Sequence, residues 1–252
     1  MPSAILTFAF GETVFSKPGC IFLAFLESVA CGVSLMSLML IAINRYLFIC
    51  EYHRYAKICT GRLITAAVVA SWVTVAVLIA FPPLVGWGNY GYDAKTEDCI
   101  VDRTADLIYN IYGTGVFIMV PLLFTFFCYF KIFQTVYTQR KAMRNHVGFS
   151  GRQISKKDIK LIVTLLVVLL MFVLCWVPFV GAVLFDGVRD MAPSDVYLSA
   201  AWLAMTNSCI NSFIYGVADP NFRQGYKKIL LCCQTKSSRV GTTDTTPPAP
   251  TA

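Results

Sequence analysis

The sequence has few charged residues for its length. Of its 252 residues, 14% are Asp, Glu, Lys or Arg, whereas a soluble domain carries about a quarter. Apolar residues make up 57% of the chain, and the mean hydropathy is +0.64. Several uncharged runs reach the ~20 residues that a helix needs to cross a bilayer. These properties exclude an ordinary soluble domain and predict a polytopic helical membrane protein.

Side chains that carry out chemistry inside a membrane are also scarce. The two histidines, His53 and His146, fall in predicted inner loops, and Glu27 has no second acid near it in the sequence. An intramembrane hydrolase would need paired carboxylates, a histidine cluster or an activated Ser or Cys. The internal repeats common in transporters are not visible. The sequence therefore predicts neither an enzyme nor a cofactor. A transporter would be favoured if the protein carried out substrate uptake or turnover and gave no signal in response to a ligand.

One apolar run, residues 20–50, organises the prediction of the spans. A helix over this run would be about 45 Å long, and its only charges are Glu27 and Arg45. Each of these charges needs a partner or a water-lined cavity. Four further complete spans are predicted at about 63–85, 106–132, 158–184 and 196–217. Bends are expected at Pro121 and Pro178, and residues 1–10 are interpreted as the last half of a helix whose beginning is absent.

The basic residues predict the orientation of the chain. Four of the 21 Lys and Arg residues fall on the side opposite Arg45, and the other 17 fall on its own side or at Arg45 itself. The positive-inside rule places the richer side, with the C-terminus, in the cytoplasm. The excess of basic residues is thus a topology signal and does not require a nucleic-acid partner. An amphipathic helix at 219–231 is predicted to lie on the inner membrane surface, followed by a disordered tail at 232–252.

The ten cysteines divide by predicted location. Only Cys20 and Cys99 reach the outer side, where oxidation is favoured, and we predict that they form a disulfide. Cys232 and Cys233 follow a basic inner stretch and form a candidate site for S-palmitoylation. The other cysteines fall in or beside the spans, where a thiol acts as a small apolar group.

Several motifs occur together in a characteristic order. They are Asn44-Arg45-Tyr46, Cys175-Trp176-Val177-Pro178 and Asn211-Ser212-Phe213-Ile214-Tyr215, accompanied by Trp72, Pro121, Tyr129 and the two outer cysteines. The set resembles the rhodopsin-like class of G-protein-coupled receptors, and the sequences around Arg45, Trp176 and Asn211 look most like the melatonin-type branch. The resemblance covers nearly the whole chain to Leu231. It implies an all-α, seven-helix transmembrane bundle from which the first helix and half of the second are absent.

The resemblance also implies a mechanism at the inner face. Arg45 would be the switch residue, held by Asp158 in the inactive state and released towards Tyr129 and Tyr215 in the active state. Asn44, Tyr46, Pro178 and Asn211 belong to the same switch motifs. A heterotrimeric G protein, of the inhibitory type in the melatonin branch, would bind there from the cytoplasmic side of the plasma membrane. The alternative for Arg45 is a topology anchor that reaches the lipid interface.

The expected outer pocket differs from that of the melatonin branch. Trp176 would form its floor, but Phe117 stands where the melatonin pocket uses a histidine, so melatonin itself is not the expected ligand. The related amine receptors hold the ligand ammonium with an aspartate in the region of Glu27. Glu27 is either such a contact or a protonated, hydrogen-bonded acid. The expected ligand is a small amine or an indole-like molecule.

The sequence also bears on two other functions. A light-sensing opsin needs a lysine in the last span for its Schiff base, and no lysine occurs between Lys160 and Lys227. The opsin reading is therefore excluded. A truncated product that does not signal remains an alternative, because the resemblance calls for seven spans. The missing part could reflect an incomplete gene model or a real short isoform.

Overall fold

The computed structural model describes residues 10, 15–93, 95–102, 107–144, 154–189, 193–218 and 223–229. Its helices are α1 (Lys17–Cys50), α2 (Tyr52–Ile58), α3 (Gly61–Leu84), α4 (Leu107–Thr114), α5 (Val120–Arg144), α6 (Lys156–Arg189) and α7 (Ser194–Ala218). A π-helical segment, Gly115–Met119, joins α4 to α5. Two strands, β1 (Tyr90–Asp93) and β2 (Asp98–Val101), form an antiparallel hairpin.

The long helices agree with the spans expected from the sequence. Among the described residues, four helical stretches are long and apolar enough to cross a membrane: Lys17–Cys50, Gly61–Leu84, Ile108–Ala142 and Asp158–Phe185. The range predicted for the last span is also helical, as α7, but Asn207, Ser208 and Asn211 make it more polar. The chain is therefore a multi-pass helical membrane protein, as the sequence predicted.

α1 is the helix around which the first part of the fold packs. It contacts α3, α5 and both strands of the hairpin. Its core with α3 is formed by Val29, Val33, Val75 and Ile79. Gly32 lies within this contact, and a Cβ atom there would come within 2.8 Å of Val75 Cγ1. The absence of a side chain at Gly32 thus lets the two helices approach closely.

The outer end of α3 contains two consecutive prolines, Pro82 and Pro83. Because proline has no N–H, the carbonyls of Leu78 and Ile79 lose the donors four residues ahead. The hydroxyl of Tyr112 donates to the Leu78 carbonyl at 3.4 Å, and the hydroxyl of Tyr90 in β1 donates to the Ile79 carbonyl. Side chains from the next helix and the hairpin therefore replace hydrogen bonds that the helix cannot make.

The bend expected near Pro121 is preceded by a change in helical geometry. The Val120 N–H bonds to the Gly115 carbonyl, five residues back, which is the π-helical spacing. Pro121 follows without an N–H, and its own carbonyl accepts a hydrogen bond from Thr125 Oγ1 at 2.7 Å. The π segment was not expected from the sequence. It changes the direction in which Phe117 projects from the helix.

The contacts of the chain define two compact units, residues 1–207 and 208–252. In the second unit, residues 223–229 are helical, within the range predicted for the amphipathic helix. The Tyr226 ring lies against Gly216, where a Cβ would be 3.0 Å from Tyr226 Cε2. The predicted helix start at Asp219, the palmitoylation candidates Cys232 and Cys233, the tail 232–252 and residues 1–9 lie outside the described residues.

Candidate functional site

The disulfide predicted on the outer side is present. Cys20 in the first turn of α1 is bonded to Cys99 in β2, with a Cα–Cα distance of 5.3 Å. Both cysteines are buried and pack with Ala24, Leu23 and Tyr90. The bond and this small apolar cluster hold the hairpin against the outer end of α1.

Two carboxylates lie near this tether. Glu27 is partly buried on α1, two turns or about 10 Å beyond Cys20. Asp98 precedes Cys99 and is 0% exposed. Its Oδ1 accepts a hydrogen bond from the Cys99 N–H at 2.8 Å. The two acids are close enough to interact electrostatically, so the outer region of the fold holds a second acidic side chain besides Glu27.

Phe117 faces α1 from the π segment. A Cβ at Gly32 would be 3.5 Å from Phe117 Cδ1, which places the ring beside α1 between one and two turns inward of Glu27. Phe117 also meets Tyr112 edge to face, with ring centroids 6.1 Å apart. Tyr112 in turn lies 5.4 Å from Trp87. Phe117 is thus joined by aromatic contacts to α4 and, through Tyr112, to Trp87 just beyond the outer end of α3.

Trp176 belongs to a different aromatic row. It stacks on Phe172 at 5.7 Å and meets Phe179 at 6.0 Å, and Phe179 meets Tyr197 of α7 at 5.6 Å. Nε1 of Trp176 is buried without a hydrogen-bond partner in the part of the chain that the structure describes. The structure therefore brings Phe117 against α1 at Gly32, within two turns of Glu27, and places Trp176 in a row between α6 and α7.

At the inner end of α1, Arg45 lies between the partly buried residues Asn44 and Tyr46. Within the described ranges, Nε of Arg45 is buried and has no hydrogen-bond partner. One turn further on, Cys50 Sγ and Thr135 Oγ1 of α5 are hydrogen-bonded at 3.2 Å. Tyr129 is buried on the same helix, α5. This end of α1 therefore combines a partly buried arginine, whose Nε is buried, with close packing against α5.

Asp158 occupies a capping position at the start of α6. Its Oδ2 accepts hydrogen bonds from the N–H and Oγ of Ser155, at 3.0 and 2.7 Å, and Ser155 Oγ accepts from the Asp158 N–H at 3.1 Å. This reciprocal arrangement is a capping box. It satisfies donors at the helix N-terminus and gives Asp158 a local role that the sequence reasoning missed, although the Ser-x-x-Asp pattern is visible in the sequence.

The other residues predicted for the switch lie on the helices predicted for them. Pro178 is inside α6 and is exposed. Asn211 and Tyr215 lie on the part of α7 that belongs to the second unit, and the Tyr215 side chain is outside the described residues. The residues that sequence reasoning missed at the outer side are Asp98 and the two tyrosines at the double proline. Pro82-Pro83 was a usable signal, because two free carbonyls require donors from elsewhere.

Comparison with known proteins gives matches along most of the chain. A family model described as 7 transmembrane receptor (rhodopsin family) matches residues 1–215. The chain is 30% identical over 217 residues to the melatonin receptor type 1A of Phodopus sungorus, covering 84% of this chain and 60% of that receptor. It is 31% identical over 223 residues to the melatonin receptor type 1A of Ovis aries, covering 86% and 60% respectively. The chain therefore spans less than two thirds of the length of these relatives.

The fold is similar to that in the crystal structure of squid rhodopsin. The TM-score is 0.75 at 20% sequence identity, and the match covers 98% of this chain and 76% of that one. This likeness supports the helical receptor fold, and the sequence matches support the family. The chain therefore belongs to the rhodopsin family of seven-transmembrane G-protein-coupled receptors, and within that family it is similar to the melatonin receptors.

Proposed function

We propose that this receptor binds a small extracellular amine or indole-like ligand and activates a heterotrimeric G protein at its inner face. The observation that carries the ligand part is the partly buried Glu27 on the outer half of α1, with the Phe117 ring packed against the same helix at Gly32. A partly buried carboxylate and an aromatic ring then lie within two turns of each other along one helix. An ammonium with an aromatic body is the ligand chemistry that this pair suits.

Glu27 would supply the polar part of the recognition. A carboxylate that is partly removed from water interacts more strongly with a cation than an exposed one does. Phe117 and its aromatic neighbours would supply the apolar contact, and the Cys20–Cys99 tether would hold the hairpin over this region. Phe117 cannot donate or accept a conventional hydrogen bond. The proposed ligand therefore differs in chemistry from one that depends on a histidine there.

At the inner face, Arg45 would be the group that changes partners. Its Nε is buried without a hydrogen-bond partner among the described residues, and such a group gains free energy from any acceptor that reaches it. We propose that Asp158 pairs with Arg45 in the inactive state. In the other state it forms the capping box with Ser155. Ligand and G protein would each shift the population towards the open state, in which Arg45 turns towards Tyr129 and Tyr215.

The cellular setting follows from the charge distribution and the family. We propose that the receptor lies in the plasma membrane and that its C-terminus is in the cytoplasm. There the basic inner loops and the palmitoylated Cys232 and Cys233 would lie against the bilayer. The similarity to melatonin receptors supports an inhibitory G protein as the partner. Because the chain spans 60% of these relatives, these assignments are proposals for this chain.

A pair of matched probes tests the ligand part. Tryptamine carries an ammonium at neutral pH, whereas N-acetyltryptamine has the same ring without the charge. Glu27→Gln should weaken the response to tryptamine by about 10- to 100-fold, the loss expected for a charged hydrogen bond, and leave the response to the neutral analogue unchanged. The readout is nucleotide exchange on an inhibitory G protein in membranes that contain the receptor.

A second variant controls for loss of negative charge on the outer side. Asp195 is an exposed acid in the first turn of α7, so Asp195→Asn removes the same charge away from the proposed site. It should change neither response. An equal loss for both probes in Glu27→Gln, or no loss for either, would contradict the role of Glu27 as an ammonium contact.

A further inference from the structure

Asp98 is a buried acid for which the proposed function has no use. The residue is 0% exposed. Its Oδ1 accepts a hydrogen bond from the neighbouring Cys99 N–H, and its Oδ2 is buried without a hydrogen-bond partner in the described part of the chain. An ionised carboxylate in this state is costly, because water no longer solvates it and no cation among the described residues is seen to replace the water. A buried acid of this kind calls for a partner.

Asp98 is the first residue of β2 and is paired with another acid in the hairpin. Asp93 lies directly opposite it in the strand register. The Asp93 carboxylate accepts hydrogen bonds from the Lys95 N–H at 3.2 Å and from Thr96 Oγ1 at 3.4 Å. The two acids of the same strand pair thus differ sharply, since Asp93 is satisfied within its own turn while one oxygen of Asp98 is not.

Asp98 is also held close to the ligand region proposed above. The disulfide joins the next residue, Cys99, to Cys20 with 5.3 Å between the Cα atoms. Glu27 lies about 10 Å along α1 from Cys20, and the two carboxylates interact electrostatically. Two like charges that are both shielded from water repel each other. A ligand with positive charge near both of them would relieve the desolvation and the repulsion together.

We propose that Asp98 is a second anionic contact in the outer region and that the site takes a ligand with two cationic groups, one held by Glu27 and the other by Asp98. The proposal rests on the proposed function of Glu27 as the ammonium contact, and it narrows the ligand class from monoamines to diamines. Recognition by two fixed carboxylates makes binding depend on the distance between the two cationic groups. A ligand with one amine would use only half of the site.

The test uses simple probes and the full chain in nanodiscs. A series of α,ω-diaminoalkanes of increasing chain length is compared with the corresponding monoaminoalkanes, and affinity is obtained from the ligand-dependent shift of the thermal unfolding midpoint. The unmodified receptor should prefer one diamine length over its monoamine by about tenfold or more, the value of one further charged contact. Asp98→Asn should reduce this diamine to the affinity that the same variant shows for the monoamine.

Two further variants make the outcome decisive. Asp93→Asn removes the opposing acid, which is already satisfied, and should keep the diamine preference. Asp98→Glu keeps the charge on a longer side chain and should move the preferred diamine to a shorter chain, so it also serves if the Asn variant fails to fold. A diamine preference that survives in Asp98→Asn, an unshifted optimum in Asp98→Glu, or no diamine preference in the unmodified receptor would overturn the proposal.

The ammonium role of Glu27 and the role of Asp98 are tested by different results. Monoamine binding that persists at full affinity in Glu27→Gln would overturn the ammonium role of Glu27. The comparison of diamine and monoamine in Asp98→Asn would still report on Asp98, because it measures the difference between two probes rather than binding itself.

Discussion

Tyr90 donates a hydrogen bond from its hydroxyl to the backbone carbonyl of Ile79, with 3.0 Å between the oxygens. In an uninterrupted helix this carbonyl would accept from residue 83, but Pro83 has no N–H. The hairpin therefore completes the hydrogen bonding of α3 at the point where the double proline interrupts it. This contact joins the outer loop to α3, while the disulfide joins it to α1.

Replacing Tyr90 by Phe should lower the free energy of unfolding by about 1–2 kcal/mol, since a shielded carbonyl is left without its donor. The measurement is thermal or denaturant unfolding of the purified receptor. Tyr92, in the same strand, is 44% exposed, so Tyr92→Phe should have little effect. Equal destabilisation by the two substitutions would argue against the carbonyl contact.

The same contact predicts a response to alkaline pH. Burial raises the pKa of Tyr90 above its ordinary value, so the folded state holds this proton more tightly than the unfolded state does. The resulting stabilisation is fully present below about pH 10, the unperturbed tyrosine value, and is lost as the pH rises above it. Unfolding followed between neutral pH and pH 11 should show a smaller alkaline loss in Tyr90→Phe than in the unmodified receptor.

Gly32→Ala should destabilise the contact between α1 and α3 by about 1–3 kcal/mol, the usual cost of overpacking. The added methyl would come within 2.8 Å of Val75 Cγ1. Gly181 of α6 has open space at the same distance, so Gly181→Ala is the matched control and should be neutral or slightly stabilising. Val75→Ala combined with Gly32→Ala should recover part of the loss, and a double variant no better than the single one would contradict this explanation.

Substitutions can distinguish the helix-capping role of Asp158 from its proposed role in the switch. Asp158→Asn and Ser155→Ala each remove part of the capping box and should each cost about 1 kcal/mol of stability. Only Asp158→Asn also removes the proposed inactive-state partner of Arg45, so only this variant should raise nucleotide exchange in the absence of ligand. If both variants have the same basal exchange, Asp158 is a helix cap and not part of the switch.

Arg45→Ala should abolish ligand-dependent nucleotide exchange and leave ligand binding measurable. Arg54 is exposed, and its Nε lies 3.7 Å from Oε2 of Glu51. Its substitution removes one positive charge near the same helix end and is therefore the matched control. Arg54→Ala should leave exchange close to that of the unmodified receptor. Full exchange in Arg45→Ala would show that Arg45 acts as a topology anchor rather than as the switch.

Much of the fold and part of the site could be predicted from the sequence alone. The length of the apolar runs determined the spans, because no other backbone arrangement satisfies its hydrogen bonds in lipid. The location of Cys20 and Cys99 on the outer side determined the disulfide. The order of Asn44-Arg45-Tyr46, Trp176 and Asn211 was sufficient to indicate the receptor family. These properties depend on composition and order along the chain.

Other features were decided only by tertiary structure. The sequence showed that Pro82 and Pro83 free two carbonyls, but only the folded chain shows Tyr112 and Tyr90 as their donors, since residues distant in sequence can meet in many ways. The π segment before Pro121, which directs Phe117 towards Gly32, is likewise a balance of local geometry and packing. In the sequence Asp98 is an acid in a predicted outer loop, and only the packing of the hairpin against α1 removes its carboxylate from water. Burial is a property of the whole packed structure, and for that reason it could not be obtained from residue order.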